Sequence, residues 1–151
     1  MRKLTALKSG LPYDVRSKIE VIKDLNEDGI EAYPSFSPHV LLTDSSYKDG
    51  LNSNSGKIFP LGGISNKIIV QGNESGFWAI YKNDKFGFNN PENIYSNEKI
   101  DIVVTGDSFV EGFGVKSEEN ISSLLGESGF KVVNLGKSSN GPLIKFAWDA
   151  T

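Results

Sequence analysis

The sequence predicts an α/β fold: one βαβ unit of a doubly wound parallel sheet, preceded by an N-terminal helix, long loops and a β-hairpin. Two observations support this fold class. Apolar, β-prone runs at 100–105 and 131–135 flank a helical pattern at 117–128, the order expected of parallel strands joined by a crossover helix. Before them, Pro, Gly and Asn separate one helical pattern from two short strand-like runs. We therefore expect residues 1–98 to form an N-terminal region that packs on an α/β part covering 99–151.

Composition excludes several classes of function. The 151 residues include 16 Lys+Arg and 19 Asp+Glu, for a formal net charge of -3, and the scattered basic residues disfavour nucleic-acid binding through a basic stripe. Cys is absent and His39 is the single histidine, so disulfides, thiolate nucleophiles and Cys- or His-based metal sites lack their residues. We expect no metal and no cofactor.

Nothing in the sequence predicts a membrane segment. The N-terminus carries basic residues but no apolar signal-peptide core, and no window approaches the roughly 18 apolar residues of a membrane span. The chain as written is therefore expected to be cytoplasmic. An extracytoplasmic or membrane-anchored location stays open for a longer parent protein.

The first predicted element is an amphipathic helix at 14–27. Its charged residues occupy the faces away from one apolar stripe. Asp14 is the expected N-cap and Gly29 the expected stop. We expect the helix to pack on the α/β unit through four residues at helical spacing: Val15, Ile19, Ile22 and Leu25.

Loops and a hairpin follow. Residues 32–63 are rich in Pro, Gly, Asn and Ser, which is typical of loops. The β-prone runs 67–71 and 76–81, separated by Gly72-Asn73-Glu74-Ser75, predict a hairpin. Its aromatic residues belong more often to a core than to a ligand platform.

The βαβ unit completes the prediction. Residues 100–105 have the composition of a strand buried on both faces. The helix at 117–128 has Ser117 as expected N-cap and Gly129 as expected stop. Since ligands bind at the carboxyl ends of the strands in open α/β sheets, function is expected in the turns 106–114 and 136–142.

The first of these turns contains a candidate nucleophile. Neither turn matches a dinucleotide or phosphate-binding glycine motif, which disfavours nucleotide binding. Ser108, however, follows a buried strand, where a sharp turn exposes its Oγ and directs its backbone N–H to the same space. This arrangement favours acyl transfer. An ordinary turn is the alternative, because Gly, Asp and Ser dominate turns for conformational reasons.

The segment 101–115 reads Asp-Ile-Val-Val-Thr-Gly-Asp-Ser-Phe-Val-Glu-Gly-Phe-Gly-Val. It resembles the first sequence block of the SGNH hydrolases, also called GDSL esterases, and looser similarity extends to 87–91 and 133–143. The resemblance implies a flavodoxin-like sheet and gives Ser108 the role of nucleophile. Four further residues support the motif by this resemblance: Gly106, Asp107, Gly112 and Gly141.

The resemblance also implies a second oxyanion donor. In the family's second block a glycine in the loop after the second strand provides a backbone N–H, and Ser139 stands at that position. A backbone N–H survives the replacement, so Ser108 and Ser139 together are the expected oxyanion hole. A plain polar loop at 138–140 is the alternative.

The family's later blocks are missing. The sequence contains neither Gly-x-Asn-Asp, which supplies an Asn donor, nor Asp-x-x-His, which supplies the base and its orienting acid. His39 is expected to be a surface residue of a Pro-flanked loop. We therefore expect a truncated N-terminal portion of a longer hydrolase, nearly inactive alone because a neutral serine hydroxyl is a poor nucleophile.

The predicted function is that of a serine hydrolase acting on ester bonds, with acyl groups on carbohydrates as the favoured substrates, or of an O-acyltransferase in the full-length protein. The expected partner is a small-molecule or carbohydrate ester. The alternative is a non-catalytic remnant or a carbohydrate- or partner-binding module. In that case Phe77, Trp78 and Tyr81 would form an exposed aromatic platform.

Overall fold

A computed structural model of the chain describes residues 2–41, 49–96 and 99–140. The helices are α1 (Arg2–Ser9), α2 (Lys18–Glu27), α3 (Ser108–Glu111) and α4 (Ile121–Glu127), with 3₁₀ turns at Pro38–Leu41 and Ser117–Glu119. The strands are β1 (Ala32–Pro34), β2 (Leu51–Ser53), β3 (Gly56–Ile58), β4 (Ile68–Val70), β5 (Ile80–Lys82), β6 (Ile102–Val104) and β7 (Val132–Asn134). The chain is thus a mixed α/β structure with small sheets.

The predicted βαβ unit and hairpin are both confirmed. Strands β6 and β7 pair in parallel, with Ile102 opposite Val132, and α4 lies between them in the chain. Strands β4 and β5 pair antiparallel, and the ladder continues into the turn, where Gln71 N–H donates to Ala79 O at 2.8 Å. Among the described residues, no helix is long and apolar enough to cross a membrane.

The region predicted as loops contains short strands. Strand β1 pairs in parallel with β4 and completes a sheet of order β1-β4-β5, while β2 and β3 form a separate hairpin. Three-residue strands are too short to show periodicity. They depend instead on the strands beside them, which a local pattern does not report.

Helix α2 begins later than predicted. Its N-cap is Ser17, not Asp14: Ser17 Oγ accepts from Glu20 N–H at 3.3 Å and the Glu20 carboxylate accepts from Ser17 N–H at 2.6 Å. This reciprocal pair is a capping box. Asp14 instead pairs with Arg16, whose Nη2 lies 2.5 Å from Asp14 Oδ2.

The buried face of α2 also differs from the predicted stripe. Val15 is 57% exposed and Ile19 is 77% exposed, whereas Val21 is 2% exposed. With about 100° between successive residues, Val21, Ile22 and Leu25 share one side of a helix that begins at Lys18. That side packs on the β1-β4 part of the mixed sheet, around Ala32, Val70 and Trp78, rather than on the βαβ unit.

The α/β unit is covered unevenly. Strand β7 is buried along its length, but Val103 in β6 is 56% exposed, so the prediction of a strand buried on both faces is wrong for β6 in the described structure. The N-cap of α4 is Asn120, whose Oδ1 accepts from Ser123 N–H at 2.9 Å, and the predicted cap Ser117 opens a 3₁₀ turn. Gly129, with φ of +92°, follows the helix as predicted.

Candidate functional site

The candidate nucleophile lies at the carboxyl end of β6. Ser108 is the first residue of the one-turn helix α3, and the Asp107 side chain caps this helix by accepting from Phe109 N–H at 3.1 Å. Ser108 is half-buried. In the part of the chain that the structure describes, neither its Oγ nor its backbone N–H makes a hydrogen bond.

Close packing explains two glycines of this turn. A Cβ on buried Gly106 would lie 2.2 Å from Val110 Cγ2. Gly112 ends α3 in the left-handed conformation, with φ of +82°, and a Cβ there would lie 2.8 Å from Asn120 Cβ. Only glycine fits either position without a shift of its neighbours. The sharp turn that presents Ser108 depends on both.

The turn after β7 packs directly against the Ser108 turn. A Cβ on Gly136 would lie 2.4 Å from Glu111 N, so the backbones of the two turns are in contact. Leu135 N–H donates to Val104 O at 2.8 Å and Lys137 N–H donates to Gly106 O at 3.1 Å. The two turns that the sequence predicted at one sheet edge therefore lie side by side there.

Ser139 has the backbone conformation of a glycine. Its φ is +67°, in the left-handed region, and it is exposed on the second turn. Within residues 2–41, 49–96 and 99–140, its backbone N–H has no hydrogen-bond acceptor. The left-handed backbone costs about 1–2 kcal/mol for a residue with a Cβ. Gly141 lies outside the described residues.

A buried ion pair joins the two turns. Glu111 and Lys137 are 0% and 1% exposed, with Lys137 Nζ 2.5 Å from Glu111 Oε1. The same oxygen accepts from Tyr81 OH at 2.9 Å. The other carboxylate oxygen accepts from Ser138 N–H at 2.7 Å and from Ser138 Oγ. Both oxygens of Glu111 are therefore fully occupied.

The environment keeps Glu111 ionised. Burial on its own raises the pKa of this carboxyl, but the charge of Lys137 and the hydrogen bonds from Lys137 and Ser138 outweigh it and hold the pKa below its usual range. Burial, followed by the charge of Glu111 and its hydrogen bond, raises the pKa of Tyr81 well above its usual value. Tyr81 is therefore a neutral hydrogen-bond donor to a carboxylate.

Asparagine side chains connect the end of β7 to the backbone of the two turns. The Asn90 amide pairs with the Asn134 backbone, donating to its O at 2.8 Å and accepting from its N–H at 2.7 Å. The Asn134 side chain in turn donates to Val110 O at 2.6 Å and accepts from Gly136 N–H at 2.8 Å. Asn134 thereby ties both turns to the end of β7.

The sequence analysis missed the buried pair of Glu111 with Lys137 and the contacts of Asn134. The available signals were a carboxylate three residues after Ser108 and an Asn inside an apolar run, Val132-Val133-Asn134-Leu135. Aromatic residues were treated correctly as core: Tyr81 is buried in the ion-pair network and Trp78 packs against the Val21 cluster. The alternative of an exposed platform that includes Tyr81 is therefore wrong.

Among the described residues, no His, Asp or Glu side chain is hydrogen-bonded to Ser108 Oγ. His39 lies in a 3₁₀ turn, half-buried, and its Nδ1 is buried without a hydrogen-bond partner there. Both oxygens of Glu111 are engaged, and Asp107 is used as a helix cap. No group of three or more His, Cys, Asp or Glu in the described ranges is placed to hold a metal.

A cavity lies away from Ser108. It has a volume of about 960 Å³ and is enclosed by segment 81–96 on one side and α4 with its flanking turns on the other. Its lining contains amides and hydroxyls, including Asn83, Asn93 and Ser123, together with five charged residues, Lys82, Glu92, Glu118, Glu127 and Lys131. No described residue of either turn of the candidate site contributes to it.

Comparison with protein-family models, with curated proteins and with solved structures finds no match to this chain. The functional interpretation therefore depends on the geometry of the two turns and on the sequence resemblance.

Proposed function

We propose that this chain carries the nucleophile turn of an SGNH-type serine hydrolase or O-acyltransferase that acts on ester bonds, with acyl groups on carbohydrates as the favoured substrates. One observation carries the proposal. The Ser108 hydroxyl, the Ser108 N–H and the Ser139 N–H lack partners among the described residues, on two turns whose backbones are in contact. The parallel β6-β7 pair with α4 between its strands supports the flavodoxin-like sheet that the resemblance implies.

In the proposed reaction, Ser108 Oγ attacks the ester carbonyl carbon and its proton passes to a general base from outside the described residues. The carbonyl oxygen becomes an oxyanion, to which the N–H groups of Ser108 and Ser139 donate. Collapse of this intermediate breaks the ester bond, and the leaving alkoxide takes the proton from the base. Water or an acceptor alcohol then removes the acyl group from Ser108 in a second displacement.

Acetylation of Ser108 by 4-nitrophenyl acetate tests the proposal, with peptide mapping to locate the acetyl group. We expect Ser108 to be acetylated faster than Ser117, a half-buried serine of the same chain. Ser108→Ala should lose this product alone. Acetylation of Ser108 at or below the rate of Ser117 would contradict the proposal.

Steady-state turnover is a separate expectation. General acid–base catalysis contributes about a hundredfold to ten-thousandfold, and the described residues offer no base to Ser108. The 151-residue chain should therefore release 4-nitrophenol under steady-state conditions no faster than Ser108→Ala. Ser108-dependent turnover that disappears in His39→Ala would identify His39 as the base.

The second candidate function, a non-catalytic binding module, is favoured only by the cavity between segment 81–96 and α4. Its amides, hydroxyls and charged side chains are hydrogen-bonding groups that suit a polyhydroxylated ligand. Line broadening or shifts of Asn93 and Ser123 amides upon addition of a neutral oligosaccharide, with Ser108 unreactive toward esters, would favour this function over the first.

A further inference from the structure

The buried pair Glu111–Lys137 is an unusual way to join two surface turns. Charged groups lose hydration when they are buried, and an apolar pair of similar size often serves stability as well. The three partners of the Glu111 carboxylate come from two elements: Tyr81 from β5, and Lys137 and Ser138 from the turn after β7. Tyr81 and Lys137 are the titratable groups that face it in the described structure.

The carboxylate fixes the residue directly before Ser139. Ser138 donates both its N–H and its hydroxyl to Glu111 Oε2. On the other side of Ser139, Asn140 N–H donates to Lys137 O at 3.1 Å. Ser139 is thus held in its left-handed conformation between two anchored neighbours, although its own N–H is free of partners among the described residues.

Glu111 sits on the same helical turn as Ser108. Helix α3 spans Ser108–Glu111, and Glu111 N–H donates to Asp107 O at 3.0 Å. A displacement of Ser138 relative to Glu111 is therefore a displacement of Ser139 relative to Ser108. The single carboxylate connects the nucleophile turn to the second oxyanion donor.

We propose that Glu111, which forms a salt bridge with Lys137 and accepts a hydrogen bond from Tyr81, is a positioning residue. It fixes the turn 137–140 and so holds the Ser139 N–H in place beside Ser108. The role of Glu111 in catalysis rests on the proposed function. Its role in ordering the turn does not depend on that function. Glu111 is not the general base, because both of its oxygens already accept hydrogen bonds.

The first arm of the test follows the ¹⁵N-labelled chain by NMR. The folded pKa of Glu111 is depressed, so the order that its carboxylate confers is complete above the usual carboxyl pKa of about 4.3 and is lost as pH falls through the folded value. The amide shifts of Ser138 and Ser139 should follow one common titration below pH about 4.3. Lys137→Met should move its midpoint upward, because the stabilising charge is gone.

Amide hydrogen exchange rates at neutral pH are compared between the unmodified chain and its variants. We expect Glu111→Gln to increase exchange at Ser138 and Asn140, whose N–H groups donate to Glu111 Oε2 and Lys137 O, at least tenfold more than at Ile69 in β4. Val21→Ala, which destabilises the α2 core without touching either turn, should show no such selectivity. An equal increase at Ser138 and Ile69 in Glu111→Gln, or a Ser139 shift that does not titrate with Ser138 in the unmodified chain, would overturn the proposal.

The second arm measures acetylation of Ser108 by 4-nitrophenyl acetate. Glu111→Gln should slow it at least tenfold, and Val21→Ala should leave it within about twofold. An equal slowing in both variants would overturn the positioning role. If Ser108 of the unmodified chain is no more reactive than Ser117, the proposed function fails, and the NMR arm still decides whether Glu111 orders the turn.

Discussion

The two regions that meet at the candidate site are held together by different chemistry. Helix α2 packs on the mixed sheet through apolar residues, Val21, Ala32 and Val70. The contact between the N-terminal region and the βαβ unit instead relies on buried polar groups, Tyr81 with Glu111 and Asn90 with Asn134. Apolar burial is non-directional, whereas a satisfied polar network specifies one geometry. Directional contacts thus lie where two turns must keep a fixed relative position.

The largest effect is expected where the polar network loses a charge. Lys137→Met leaves the Glu111 carboxylate buried without its counter-ion, which should lower the free energy of unfolding by about 3–5 kcal/mol. Urea denaturation followed by circular dichroism measures it. Lys67→Met is the matched control, because it breaks an exposed pair with Glu31 and should change stability little. Similar losses in the two variants would contradict the account of this contact.

A smaller effect is expected in the apolar region. Val70→Ala removes two buried methyl groups and leaves a cavity, so the free energy of unfolding should fall by about 2 kcal/mol. Ile19→Ala changes a residue that is largely exposed and should stay within about 0.5 kcal/mol of the unmodified chain. The same denaturation experiment distinguishes the observed face of α2 from the predicted stripe. A larger loss for Ile19→Ala than for Val70→Ala would show that the stripe was correct.

The smallest effect concerns the start of α2. Ser17→Ala removes the capping box and should lower the free energy of unfolding by about 1 kcal/mol. Ser35→Ala, a half-buried serine just after β1, serves as a control outside the helix. Thermal unfolding of both variants should rank Ser17→Ala as the less stable. The reverse order would place the helix start elsewhere.

The fold was predictable where local pattern and tertiary structure agree. The β6-α4-β7 unit and the β4-β5 hairpin have distinct runs and clear turn residues, such as Gly129. Strand β1 exists only because β4 lies beside it. The spacing of Ser17 and Glu20 is that of a capping box and indicates where α2 starts. Asp14 is also a preferred N-cap residue, however. Starting the helix at Asp14 placed the predicted apolar face on a different side of the helix.

The candidate site was predictable only in part. The position of Ser108 follows from a strand, a turn and a helix that are adjacent in the sequence. Glu111 and Lys137 lie 26 residues apart, and no local rule predicts that two charged residues will be buried together. The left-handed conformation of Ser139 is equally hidden, because serine seldom adopts it.

The central claim is that the two turns make Ser108 chemically distinct from the other serines of the chain. Its most direct test is the rate of modification by an alkyl fluorophosphonate, with peptide mapping of every serine over time and imidazole added as an external base. The account predicts that Ser108 is modified first and that Ser108→Ala leaves only slow modification at other residues. Modification of Ser108 at the same rate as exposed serines such as Ser55 would contradict it.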